Sequence, residues 1–153
     1  MLCLACGVDT PGLGPKCPKC EAFIGYVADS RGFLPQVDHL GEAIEAGQVS
    51  PEEAAVRLER LARALEAMTV QLDETGAKMV ELGLDDVQQS ALSGFMMPVR
   101  QALADMYETV TNLDPEGDWS MEQLDALEDA QLRVITGNEG IGFLLRTVSG
   151  YAQ

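Results

Sequence analysis

The feature that most restricts how this chain can fold is a spacing. From Ala54 onward, Leu58, Leu61, Leu65, Met68, Leu72, Thr75, Met79 and Leu82 follow one another in alternating steps of four and three residues. Only Thr75 is polar among these nine positions, so they lay one apolar seam along an α-helix, of the kind that packs on other helices. Ser50-Pro51-Glu52-Glu53 stands just ahead of the seam. Ser50 suits the N-cap, Pro51 the first helical position, and Glu53 the closing side of a capping box. Gly83 is a natural stop. A helix of this span is about 48 Å long.

The same rhythm returns twice. Between about Asp85 and Asn112 it runs through Leu92, Met96, Val99, Leu103, Met106 and Val110 to Leu113; the last third of the chain carries it at Leu124, Leu127, Gln131, Val134, Asn138, Ile141, Leu145 and Val148. Ser120 and Gln123 form a second capping-box pair, with Trp119 placed to staple onto Leu124. Ahead of the first seam, Val37, Leu40 and Ile44 share one side of a short helix that starts near Pro35 and stops near Gly47. Long helices joined by short loops must run antiparallel. The expected architecture is mainly α: an elongated antiparallel bundle of three long helices plus one short helix over residues 34–153, behind a small module at residues 1–33.

That module is defined by cysteines. All four of the chain's cysteines lie in its first 20 residues, as Cys3-Leu4-Ala5-Cys6 and, ten residues later, Cys17-Pro18-Lys19-Cys20. Each Cys-x-x-Cys turn presents two thiolates on one side of a tight loop, and two such turns can converge on a tetrahedral metal ion. Gly7, Pro11, Gly12, Gly14, Pro15 and Pro18 make the segment turn-rich and too poor in apolar side chains for a core, so metal ligation would have to supply its folding free energy. Four thiolates also suit an iron site, and four cysteines allow three disulfide pairings. A thioredoxin-type redox pair would need a strand–helix–strand context that neither motif has.

The two pairs and their gap resemble the short zinc-ribbon module found at the ends of many bacterial proteins. The resemblance covers residues 3–20 only, and Glu21 follows the second pair where the module usually has glycine. It implies one structural Zn²⁺ held by Cys3, Cys6, Cys17 and Cys20. A closed four-thiolate shell leaves no coordination position for a reacting water. Phe23, Tyr26 and Phe33 then read as the module's last strand and a linker, their aromatic rings packing it on its neighbour. Such modules occur with many unrelated functions, so the match implies a metal site and no activity.

Charge narrows the partners. Lys16, Lys19 and Arg31 balance Asp9, Glu21 and Asp29, which leaves the entire formal charge of −15 on residues 34–153. Phosphate backbones and anionic membrane surfaces need clustered cations that this region lacks. No run of about 18 apolar residues suggests a membrane span. Met1–Gly7 lacks the basic start and long apolar stretch of a secretory signal, so a cytoplasmic protein is expected.

Catalytic constellations are scarce. The single histidine, His39, falls on a short acidic helix and reads as a surface residue, and the pairs Glu52-Glu53 and Asp85-Asp86 belong to helix starts, where the dipole favours them. Asp114, Glu116, Asp118, Ser120 and Glu122 alternate as in a calcium loop. Trp119 at the sixth position, Pro115 at the second and Asp125 at the twelfth favour a plain helix connection instead. Gly137-Asn138-Glu139-Gly140-Ile141-Gly142 has neither a preceding strand nor a following Lys-Ser/Thr, so it is no phosphate loop.

One level of the bundle stands out. Counted from the loop they share, Pro98 and Gly137 lie at nearly the same height on antiparallel neighbours, with Pro98 placed to kink its helix. The level could be a close helix–helix approach, a groove lined by Met96, Met97 and Phe143, or a break in the last helix. The leading expectation is a zinc-binding, non-enzymatic adaptor, regulator or scaffold that works through protein contacts; the apolar stripe that an extended three-helix bundle leaves uncovered also suits self-association. The alternatives are a nucleic-acid-associated zinc ribbon using Lys16, Lys19 and Arg31 and, less favoured, an enzyme or a metal electron carrier.

Overall fold

Start and stop chemistry marks out each helix. In the computed structural model, which describes residues 33–149, the elements in order are α1 (Phe33–Glu45), α2 (Pro51–Glu81), α3 (Asp86–Thr111) and α4 (Met121–Ser149). Ser50 Oγ accepts the Glu53 N–H at 3.2 Å at the head of α2. The Glu53 carboxylate does not complete the expected box; it takes Arg57 one turn further on, at 3.0 Å. Asp85 caps α3 with a full reciprocal box to Gln88, at 2.8 and 3.1 Å. Ser120 and Gln123 do the same for α4, at 3.0 and 3.1 Å. Gly47 and Gly83 both adopt positive φ just past α1 and α2, where a side chain would be strained.

α1 begins two residues ahead of Pro35, with Phe33 already helical and only 2% exposed. Pro35 is tolerated there because the first turn's N–H groups have no helical partner to lose. The cysteine module, with Phe23 and Tyr26, lies outside the described residues, which contain no strand.

The three seams form one core. Ala54, Leu58, Leu61, Leu65, Leu72 and Met79 of α2 are buried with Leu92, Val99, Leu103, Met106 and Val110 of α3 and Leu127, Val134 and Ile141 of α4. Met68 and Met96 pack against them, half-buried. The expected seam fails at its last α2 position: Leu82 is 51% exposed, because it is the C-cap residue and the chain is already turning away. Leu84 replaces it in the core beyond the turn. The side chains of Leu145 and Val148 lie outside the described residues.

Contacts show the directions. Met96 meets Gly76 and Arg100 pairs with Asp73, so α2 and α3 run in opposite senses. Val99 meets Gly137 while Asp105, further along α3, pairs with Arg133, earlier on α4. α3 is the central helix: it shares its largest interface with α4 and the next with α2, while short α1 touches α2 and α4. Trp119 explains how α1 is held. Its indole N–H donates to the Asp114 carbonyl at 2.8 Å, and its ring covers Gly41 so closely that a Cβ there would sit 2.8 Å from it. The ring thus makes a tertiary contact to α1, which the sequence did not foreshadow.

Candidate functional site

Helix α3 passes unbroken through Pro98, and α4 passes unbroken through its glycine run. The reading of that run as a break is therefore overturned. At this level the glycines create closeness. A Cβ at Gly137 would overlap Val99 Cγ2 outright and come within 3.0 Å of the Phe95 carbonyl oxygen, and a Cβ at Gly140 would enter the Phe95 ring. Side-chain-poor positions on α4 thus receive the two bulky residues that α3 projects there. Met96 is seated on Gly76 of α2, its sulfur 2.7 Å from where a Cβ would be. Met97 and Phe143, expected as lining of a groove here, stand 67% and 61% exposed.

Pro98 removes one helical N–H, so the Gly94 carbonyl loses its i+4 partner. Gly94 and Pro98 are both exposed, which lets water serve that oxygen.

Below this level α3 and α4 are joined by charge. Arg133 donates to Asp105 at 2.8 Å across the interface and to Asp129 on its own helix at 3.2 Å. The Arg133 hydrogen bond holds the Asp105 carboxyl below the usual carboxylate range, against a smaller opposing push from burial, and Asp105 in turn raises Arg133. Both side chains are more than a third exposed, so solvent screens much of the attraction.

Cys3, Cys6, Cys17 and Cys20 lie outside the described residues, as do Lys16, Lys19 and Arg31. Among the described residues no three His, Cys, Asp or Glu side chains are grouped to hold a metal ion. His39 is exposed on α1, as a surface residue would be. In the acidic loop after α3, two of the side chains named as calcium-loop positions are engaged locally. Asp114 Oδ1 accepts the Glu116 N–H at 2.9 Å, and Ser120 Oγ is committed to capping α4. Gly117 turns with positive φ, and Ile44 of α1 sits 3.0 Å from where its Cβ would be.

Two surface features went unread in the sequence. One is a shallow groove of about 430 Å³ between the first half of α2 and the end of α3, bordered by Glu59, Arg63, Tyr107 and Pro115. The other is the outer side of α4, where Met121, Leu132 and Phe143 are 71%, 63% and 61% exposed. Their spacing of eleven residues is the signal that could have found them. No described helix is long and apolar enough to cross a membrane. Comparison with family models, curated proteins and solved structures returns no match.

Proposed function

We propose that this chain is a cytoplasmic, non-enzymatic adaptor, regulatory or scaffold protein. An N-terminal zinc ribbon at residues 1–33, with one structural Zn²⁺ on Cys3, Cys6, Cys17 and Cys20, is joined to an acidic helical bundle that makes protein contacts. The observation that carries the reading is the two-sidedness of the long helices. Each buries most of its described seam positions and still leaves large apolar side chains in water: Val70 on α2, Met97 on α3, Leu132 and Phe143 on α4. Apolar area held open on a stiff helical frame is what helix–helix recognition uses.

Charge supports the choice of protein over nucleic acid. Arg57, Arg63, Arg100 and Arg133 each pair with a carboxylate within the bundle, so these cations are already engaged. The cysteine spacing supports zinc, since four thiolates give a closed shell that stabilises a short turn-rich segment without offering chemistry.

Two measurements test the proposal. Elemental analysis of freshly purified protein is expected to return one zinc per chain, with thiols that titrate only after chelation. Free thiols, or iron in place of zinc, would remove the metal assignment. A crosslinking pull-down from the native host is expected to recover a specific protein partner; a strictly monomeric chain that recovers none would remove the adaptor reading.

A further inference from the structure

Among the described residues, the large apolar side chains most exposed to water are not spread alike over the three long helices. At about 100° per residue, Val56, Val70 and Val80 of α2 spread over about 120° of that helix's circumference, and Val87, Met97 and Tyr107 of α3 over about 160°. On α4 the three fall together. Met121, Leu132 and Phe143 are eleven residues apart, close to three full turns, so they stand within about 40° of one line along some 33 Å of helix. Asp125, Glu128 and Glu139 are exposed in the same narrow strip, and half-buried Ile135 borders it. Arg133, beside the strip, is turned away to Asp105 and Asp129.

From this alternation of apolar anchors and carboxylates we infer that the outer face of α4 docks a basic amphipathic helix of another protein. The inference rests on the proposed adaptor function and specifies its partner. Charge decides the occupant. A second copy laid on this face would set Asp125, Glu128 and Glu139 against their own kind, on a bundle that already carries the whole −15. A helix with Lys or Arg flanking an apolar stripe satisfies both components: the stripe covers Met121, Leu132 and Phe143, and the cations neutralise the acids between them. The strip is long enough for about six turns of such a helix.

The probe is a synthetic helical peptide of about 22 residues with leucines along one face and lysines beside them, compared with the same peptide carrying glutamate for lysine. Anisotropy titration of the full chain is expected to show saturable binding of the lysine peptide alone, weakening as salt rises from about 50 mM to about 300 mM. L132S and F143S should each weaken it by about tenfold, while V56S and V70S on α2 leave it within about twofold. All four positions are exposed, and unchanged helical circular dichroism would show that the variants fold. Absence of saturable binding, or equal binding by L132S, F143S and wild type, would overturn the inference, because bulk charge alone would then account for any attraction. In the native host, a photo-crosslinker at position 132 should trap a basic amphipathic segment of another protein. Trapping of a second copy or of this chain's own residues 1–32 would overturn it. Partner capture from position 70 but not 132 would overturn the docking face and leave the adaptor function standing.

Discussion

Helix α3 is packed from two sides by different means. Toward α2 it meets a seam of Leu58, Leu61, Leu65, Leu72 and Met79, where large side chains interlock and only Gly76 makes room, for Met96. Toward α4 it meets Gly137 and Gly140, which let Val99 and the Phe95 backbone come so near that no Cβ fits between. The first interface is built from interlocking large side chains; the second adds, to its own buried Leu127, Val134 and Ile141, glycines that seat Val99 and the Phe95 ring. The α3–α4 interface is also the more extensive, and Arg133–Asp105 bridges its lower half. Large-residue seams tolerate some repacking, because side chains can change rotamer. At Gly137 the β-branched Val99 has few rotamers to turn to and the Phe95 carbonyl is backbone, so little can move aside.

Removing volume from the first interface should cost most. Leu65, 1% exposed, sits at the middle of the α2 seam, and Leu65→Ala is expected to lose about 3 kcal/mol in urea denaturation. A loss below about 1 kcal/mol would mean that the α2 side is loosely packed and that the contrast is false.

Adding a single methyl to the second interface should come next. Gly137→Ala would gain about 1 kcal/mol of helix propensity but must displace Val99 and the Phe95 carbonyl, for a net loss of about 2 kcal/mol. The same substitution at Gly94, which has open space around its Cβ position, is expected to stabilise by about 0.7 kcal/mol. Opposite signs for one substitution at two helical glycines would sharpen the comparison; equal signs would break it.

The ion pair should matter least. Asp105→Asn is expected to cost about 0.5 kcal/mol near neutral pH, since both partners are well exposed. Because Arg133 lowers the folded-state value of Asp105, its contribution is present above the ordinary carboxylate value of about 3.9 and fades as pH falls through the lowered one. Stability curves of wild type and D105N should therefore converge in acid. A gap that persists below about pH 2 would assign the effect to packing.

How much could be read from residues alone depended on how local each cause was. The caps at Ser50 and Ser120 and the stops at Gly47 and Gly83 lie within a few residues of what they act on, and they stand where expected. The seams were legible as far as the regular helix runs. Leu82 failed because the seam's rhythm continued in sequence after the helix had ended in space. The box expected at Glu53 yielded to Arg57, one turn away, because a surface carboxylate takes whichever partner it can reach. The contact of Trp119 with Gly41 is invisible in the sequence, because nothing in the neighbouring residues places Gly41 beneath the ring. The four-cysteine reading belongs to residues 1–33 and stands on spacing and resemblance.

The order of amino acids by itself determined that the described residues, 33–149, would form three long helices and a short one, because heptad spacing and capping are properties of adjacent turns. Only the tertiary structure decided what the glycines at 137 and 140 are for. A glycine carries no side-chain signal of its own. Its meaning is set by the neighbour that approaches it, and here those neighbours, Phe95 and Val99, come from about 40 residues earlier in the chain.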